Sequence, residues 1–179
     1  MKDKKILILI LGLVVVLFGA SMLYTVATGM WDAYNQLDDE SGRAQNVAPD
    51  FTMYDKNGNE VHLQDFVGRP IVLNFWATWC GPCQSEMPVF NQSYLTLEDD
   101  TVFLMVSADD SGEKAFSYPE DNGYSLPIYH DTDGEGVAAY NITAFPTTYF
   151  IDREGYIVAR GIGAVSAEGL KAGLDMARK

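Results

Sequence analysis

The chain has few cysteines, few histidines and few positive charges. Its 179 residues include two cysteines, two histidines and 12 lysines and arginines against 25 acidic residues, which leaves a net charge of −13. A small secreted domain held together by disulfides carries more cysteines, so a hydrophobic core must stabilise this one. The excess of negative charge excludes nucleic acid and an anionic membrane surface as partners of the domain. We interpret the acidic residues as solvated surface, and we find neither an internal repeat nor a low-complexity segment.

Charge is also missing from a long apolar stretch near the N-terminus. No charged residue occurs from Ile6 to Trp31, and about 20 apolar residues are enough for a helix to span a bilayer. We therefore expect a cytoplasmic N-terminus at 1–5, a transmembrane anchor at 6–30 and a polar linker at 31–45. Because lysines precede the apolar stretch, the positive-inside rule places the rest of the chain on the extracytoplasmic side of the cell membrane. A cleaved signal peptide stays an alternative.

Residues 46–179 alternate between apolar strands and helical segments, which predicts an α/β domain around a mixed sheet. The Asn57–Gly58 pair predicts an N-terminal β-hairpin. Two apolar runs without alternation, which begin at Ile71 and Thr101, are typical of interior parallel strands. The elements expected after them are a short helix at Glu113–Phe116, a strand at Leu126–Tyr129, a helical turn at Gly136–Tyr140, strands at Thr147–Ile151 and Tyr156–Arg160, and a final helix capped by Ser166.

The first of these apolar runs leads into Cys80-Gly-Pro-Cys83, where the chain passes from a strand into a helix. Unpaired N–H groups and the positive end of the helix dipole favour a thiolate at Cys80, which we predict to be an exposed nucleophile. Cys83, one turn further on, is expected to be more buried and to resolve a mixed disulfide. Such a pair can be a redox pair, half of a metal site or a structural bridge.

Two observations weigh against the non-redox alternatives. A four-residue loop gains little stability from a cross-link, which disfavours a binding domain with a merely structural bridge. His62 and His130 lie far from the cysteines on either side, unlike the compact spacing of a zinc finger. We therefore expect no metal and no other cofactor, and treat metal delivery as a minor alternative.

Other residues near the motif are candidates for the site. Glu86 lies three positions after Cys83 on the same helix face, where a desolvated carboxylate could accept the proton that Cys83 loses before it attacks. A solvent-facing glutamate in the first helical turn is the alternative. Trp79 is expected to be exposed beside Cys80 and to contact substrate. The bond before Pro146 is expected to be trans, since only about 5% of X-Pro bonds in folded proteins are cis.

The stretch Phe75-Trp-Ala-Thr-Trp-Cys-Gly-Pro-Cys83 resembles the active site of the thioredoxin superfamily. Further segments narrow the resemblance to the TlpA/ResA-type group, whose members are membrane-anchored, extracytoplasmic thiol:disulfide oxidoreductases, several of which serve cytochrome c maturation. These segments are Ala48–Phe51, the Asn-Gly hairpin, Leu73–Trp76, Glu86–Pro88, Phe145–Thr147 and Phe150–Asp152. The resemblance covers residues 46–179 and implies a thioredoxin fold with a helix and a strand inserted at about 113–132.

The resemblance also implies roles for individual residues. Cys80 and Cys83 would form the redox disulfide, and Pro146 would be a cis-proline facing it. The backbone beside Phe145 and Pro146 would then pair with an extended substrate segment. Cytoplasmic thioredoxins carry a buried aspartate six positions before the first cysteine, and here that position is Asn74, which cannot titrate. We hypothesise that Glu86 takes over the acid–base role.

The residues between the cysteines bear on the direction of electron flow. Gly-Pro matches the reducing pair of thioredoxin, at about −270 mV, and differs from oxidants at about −120 mV. We predict a monomeric reductase of exported proteins, re-reduced by a membrane protein that passes electrons from cytoplasmic thioredoxin. A thioredoxin-fold peroxidase is the enzymatic alternative. Its cysteine needs a Pro-x-x-x-Thr-x-x-Cys environment, but no proline lies between Ile71 and Cys80.

Overall fold

The computed structural model describes residues 21, 22, 24, 25, 46–97 and 100–179. The chain divides into two units, Met1–Gln45 and Asn46–Lys179. In the first unit the described residues 21, 22, 24 and 25 are helical. The rest of the expected anchor and the whole expected linker lie outside the described residues. Among the residues described, none belongs to a helix that is both long and apolar enough to cross a membrane.

The second unit is built on a seven-stranded mixed sheet. Its strands are β1 (Thr52–Tyr54), β2 (Glu60–His62), β3 (Ile71–Trp76), β4 (Val102–Ser107), β5 (Ile128–His130), β6 (Thr147–Ile151) and β7 (Ile157–Ile162). They lie in the order β2-β1-β5-β4-β3-β6-β7. The central strands β3, β4 and β5 are parallel, and the outer strands pair antiparallel with their neighbours. This confirms the α/β domain with a mixed sheet that the sequence pattern predicts, and it agrees with the thioredoxin fold that the resemblance implies.

Four α-helices and one short 3-10 helix complete the unit. The α-helices are α1 (Gly81–Leu97), α2 (Gly112–Asn122), α3 (Glu135–Ala139) and α4 (Ala167–Ala177), and the 3-10 helix spans Leu63–Phe66. Ser166 caps α4 as predicted, since its side chain accepts a hydrogen bond from the Gly169 N–H. Buried side chains of α1 and α4 join one hydrophobic cluster on one side of the sheet.

β3 and β4 are buried along their whole length, which confirms that both are interior strands. Alternate residues of β3 enter different hydrophobic clusters, because successive side chains of a strand point to opposite faces. Val72 and Trp76 pack with α1, whereas Leu73 and Phe75 pack in the cluster on the other face. Asn74 lies on the same face of β3 as Val72 and Trp76, so its side chain faces α1.

The predicted hairpin forms between β1 and β2. The Asp55 carboxylate accepts hydrogen bonds from the N–H groups of Asn57 and Asn59, and Gly58 has φ 78°. Glycine adopts this left-handed conformation at little cost, which explains the Asn-Gly signal.

Four predicted elements have other bounds in the structure. The helical turn expected at Gly136–Tyr140 is α3, Glu135–Ala139, and the strand expected at Tyr156–Arg160 is β7, Ile157–Ile162. The helix expected at Glu113–Phe116 extends over Gly112–Asn122, because Ser111 caps its start and Gly123, at φ 70°, ends it. The strand expected at Leu126–Tyr129 lies at Ile128–His130. Pro127 lacks the N–H that a ladder hydrogen bond requires, so the strand begins after it.

The carboxyl ends of β3, β4 and β5 meet at one edge of the sheet. Trp76 lies beside Ser107, and Ser107 lies beside His130. The segments that follow these strands therefore converge at this edge. They include the cysteine motif.

Candidate active site

The two cysteines lie at the point where β3 leads into α1. A disulfide joins Cys80 and Cys83, whose Cα atoms are 5.2 Å apart. Cys80 immediately precedes α1, and its Sγ accepts a hydrogen bond from the Cys83 N–H at 3.2 Å. The sulfur therefore occupies the position of an N-cap oxygen, where unpaired N–H groups stabilise negative charge. This is the environment predicted for a reactive thiolate.

The exposure of the cysteines differs from the prediction. Cys80 is 6% exposed and Cys83 is fully buried. The expectation of an exposed Cys80 is therefore wrong, although Cys80 is the more accessible of the two. Both cysteines belong to a hydrophobic cluster of buried residues, against which the half-buried Phe145 also packs.

Trp79 is exposed, as predicted, with 67% of its surface accessible. Its ring meets Phe145 edge to face, with ring centroids 5.9 Å apart. The Phe145–Pro146 peptide bond is cis. This agrees with the resemblance and contradicts the expectation from base rates. Pro146 is buried, and its carbonyl accepts a hydrogen bond from the Gly163 N–H at 2.8 Å.

Glu86 is buried in the protein, not solvent-facing. It is 2% exposed, because the face of α1 that carries it packs on the sheet. Oε1 accepts a hydrogen bond from Asn74 Nδ2 at 2.9 Å, and Oε2 accepts one from the Val165 N–H at 2.8 Å. Burial raises the pKa of Glu86 to about 7, although both hydrogen bonds act to lower it. Glu86 can therefore exchange a proton near neutral pH.

Asn74 connects Glu86 to β6. Its Nδ2 also donates to Thr148 Oγ1 at 2.9 Å, and Thr148 lies directly opposite Asn74 in the sheet. Asn74 Oδ1 is buried without a hydrogen-bond partner. The sequence singled out Asn74 and Glu86 but missed Thr148 and Val165, which lie 74 and 79 residues from their partners. No local pattern could have paired them.

A second buried carboxylate, Asp109, also went unpredicted. It follows β4 and bonds to Thr78, which lies between β3 and Cys80. Its backbone carbonyl lies 2.7 Å from His130 Nε2. A polar residue just after an interior parallel strand was the available signal, because the ends of such strands meet at one edge.

The two histidines lie apart. His130 lies at the end of β5 near Asp109, whereas His62 is in β2, with Nδ1 4.0 Å from a carboxylate oxygen of Asp50. Within the part of the chain that is described, His, Cys, Asp and Glu form no group of three or more able to hold a metal ion.

Comparisons with known proteins are consistent with this geometry. The model of the AhpC/TSA family matches residues 44–160. The chain belongs to the AhpC/TSA family. It is 30% identical to the thiol-disulfide oxidoreductase ResA of Geobacillus kaustophilus over 176 residues, which are 98% of both chains. It is 31% identical to ResA of Bacillus subtilis over 159 residues, covering 88% of this chain and 86% of that one.

A solved structure of similar fold is that of StoA from Bacillus subtilis. It matches with a TM-score of 0.61 at 27% identity, over 72% of this chain and 98% of that one. Together with the ResA relatives and the Cys80–Cys83 pair, these matches identify this family member as a thiol-disulfide oxidoreductase of the thioredoxin type.

The burial of Glu86 predicts a pH-dependent stability. The carboxyl has a usual pKa of 4.5, which is raised to about 7 in the folded protein. Between these values the folded state holds a proton that the unfolded state has lost, so the free energy of unfolding falls as pH rises. A shift of this size corresponds to about 3 kcal/mol. Glu86→Gln should remove this component, which urea unfolding of the oxidised protein between about pH 4.5 and 8 would measure.

Glu154→Gln, at an exposed turn, is the control for this experiment and should keep the pH dependence of the wild type. Equal pH dependence in Glu86→Gln and the wild type would show that Glu86 does not titrate in this interval.

Proposed function

We propose that the protein is an extracytoplasmic, membrane-anchored reductase that acts on disulfides of exported proteins. The observation that carries the proposal is Cys80, with its sulfur at the N-terminus of α1 and Cys83 one turn behind it. The ResA relatives bear the name of thiol-disulfide oxidoreductases. The uncharged stretch 6–31, preceded by lysines, supports the location.

The reaction is a two-step exchange that starts from the reduced enzyme. The Cys80 thiolate attacks one sulfur of a substrate disulfide, and the other substrate sulfur leaves as a thiolate. Cys83 then loses its proton and attacks Cys80 Sγ. This step forms the Cys80–Cys83 disulfide and releases the second substrate thiolate. The substrate gains two electrons and the enzyme loses two.

Glu86 is suited to take the proton of Cys83. Cys83 is fully buried, so its proton cannot pass directly to bulk water. Glu86 lies three residues further along the same face of α1, where Cβ atoms are about 5–6 Å apart. Because its pKa is about 7, it is roughly half ionised at neutral pH and can both accept and release a proton.

The substrate would bind over the cysteines beside Trp79, Phe145 and Pro146. Trp79 offers a large exposed aromatic surface, and its edge-to-face contact orients the ring relative to Phe145. The backbone on the N-terminal side of β6 could pair with an extended segment of the substrate. Apocytochrome c is the substrate that the group resemblance suggests, and a membrane thiol protein would return the enzyme to its reduced form.

Replacement of Cys83 by serine should trap the substrates. The variant can form the mixed disulfide through Cys80 but cannot resolve it, so adducts sensitive to reductant should accumulate in the native cell and be identifiable by mass spectrometry. The double variant Cys80→Ser, Cys83→Ser is the control and should form none. Equal adducts in both strains would contradict the proposed chemistry. Adducts found only with cytoplasmic proteins would contradict the location.

The proposed direction predicts a low reduction potential. Equilibration with dithiothreitol buffers, read by alkylation of free thiols, should place the Cys80–Cys83 couple near the thioredoxin value of about −270 mV. A value above about −150 mV would identify an oxidant and overturn the reductase assignment.

Glu86→Gln should slow the second step of the exchange. General-base catalysis contributes about 10²-fold or more, so resolution of a Cys80–glutathione mixed disulfide should slow by about 10² at pH 7. The wild-type rate should rise with pH through about 7, the pKa of Glu86, and the variant should lack this rise. Rapid-quench measurement resolves this step from the first attack by Cys80, whose rate serves as the internal control. Unchanged resolution between pH 5 and 9 would exclude Glu86 as the base.

A further inference from the structure

Asp109, which lies just after the neighbouring strand β4, holds the loop between β3 and α1. The Thr78 N–H donates to Asp109 Oδ2 at 2.9 Å, and Thr78 Oγ1 donates to Asp109 Oδ1 at 2.7 Å. Both oxygens of the carboxylate thus hold one residue, which lies two positions before Cys80. The partners are 31 residues apart in the chain. This is a long-range contact, unlike the local hydrogen bonds of a turn.

The carboxylate itself is fixed in place. Ser107 Oγ donates to Asp109 Oδ2 at 2.7 Å and accepts from the Asp109 N–H at 3.1 Å. The Asp109 carbonyl lies 2.7 Å from His130 Nε2 on β5. Asp109 is 8% exposed, and a buried carboxylate with three donors has little freedom to move.

A second contact holds the same loop from the other side. Gln84 Nε2, in the first turn of α1, donates to the Thr78 carbonyl at 2.6 Å. Both backbone polar groups of Thr78 are therefore engaged, the N–H by Asp109 just after β4 and the carbonyl by Gln84 of α1. Trp79 and Cys80 lie between Thr78 and Gln84 in the chain, so their positions depend on Thr78.

We propose that Asp109 is a positioning residue for disulfide exchange, which acts by holding Thr78 so that Cys80 and Trp79 keep the geometry needed to meet a substrate disulfide. The inference rests on the proposed reaction at Cys80. In-line attack of a sulfur on a disulfide requires close alignment, and a displacement of about 1 Å can lower a rate by about 10².

Replacement of Asp109 by asparagine distinguishes the effect of its hydrogen bonds from the effect of its charge. The amide oxygen of an asparagine could keep the hydrogen bonds from the Thr78 N–H and Ser107 Oγ. Its NH2 group could donate to Thr78 Oγ1, whose hydroxyl can reverse its role. Asp109→Asn should therefore preserve the loop without the charge, whereas Asp109→Ala removes every side-chain contact.

Asp152 offers a matched control. It is also 8% exposed and accepts hydrogen bonds from the N–H groups of Glu154 and Tyr156. It follows Ile151, which pairs with Ile71 at the start of β3 and so lies at the opposite edge of the sheet from the cysteines. Asp152→Ala should reduce stability without disturbing the Thr78 loop.

The experiment measures the second-order rate constant for reduction of insulin disulfides by the reduced full-length protein. Asp109→Ala should lower it about tenfold or more, Asp109→Asn should remain within about threefold of the wild type, and Asp152→Ala should remain within about twofold. The rate of Cys80 alkylation by iodoacetamide, in a Cys83→Ser background, should differ from that of the unsubstituted loop in Asp109→Ala only. A wild type unable to reduce insulin, together with no mixed disulfides trapped by Cys83→Ser in the native cell, would refute the proposed function itself, whatever the variants do.

Two results would overturn the inference alone. An Asp109→Ala protein as active as Asp152→Ala would show that the loop does not need Asp109. An Asp109→Asn protein as slow as Asp109→Ala would show that the charge matters and the hydrogen-bond geometry does not. If Asp109→Ala does not fold, Thr78→Val and Thr78→Ser replace it. Serine keeps the hydroxyl and should be near wild type, valine loses it and should be slower, and equal rates would overturn the inference.

Discussion

The burial of β3 on both faces is the constraint on which the site depends. An interior strand whose alternate residues fill two hydrophobic clusters cannot shift its register without moving every side chain to the wrong face. This fixes Asn74 toward α1. It also fixes the end of the strand beside the ends of β4 and β5. The loop that carries the cysteines follows directly from that end, so the hydrophobic packing of β3 determines where this loop begins.

Two buried carboxylates lie close to the cysteines in sequence or space, and their surroundings suit them to different roles. Glu86 accepts two hydrogen bonds from neutral donors, and its burial leaves a pKa of about 7, so it is suited to move a proton. Asp109 accepts three hydrogen bonds and holds a loop. Asn74 occupies the position at which cytoplasmic thioredoxins carry a titrating aspartate. The asparagine fits this arrangement, because its amide donates to Glu86 without adding a second charge to the same buried space.

Much of the fold could be predicted from local signals. The Asn57–Gly58 turn, the Ser166 cap and the apolar runs of β3 and β4 each depend on residues close together in the chain, and all are observed. The motif itself predicted a sulfur at a helix N-terminus, because the change from strand to helix is visible in the residue pattern. The length of α2 was underestimated. Its end depends on the left-handed conformation of Gly123, which the helical pattern does not predict.

The sequence by itself determined that the two cysteines lie at the start of a helix, because this placement needs only local structure, and the resemblance of its motifs to the TlpA/ResA-type group indicated the redox chemistry. Only the tertiary structure decided which residues surround the two cysteines and how deeply they are buried. Cys80 and Glu86 are buried by the packing of the fold, and the peptide bond before Pro146 is cis. The hydrogen bonds of Thr78 with Asp109, of Asn74 with Thr148 and of Glu86 with Val165 join residues 31, 74 and 79 positions apart. Burial and hydrogen bonding depend on which surfaces the fold brings together. The sequence pattern does not show which distant residues will be in contact.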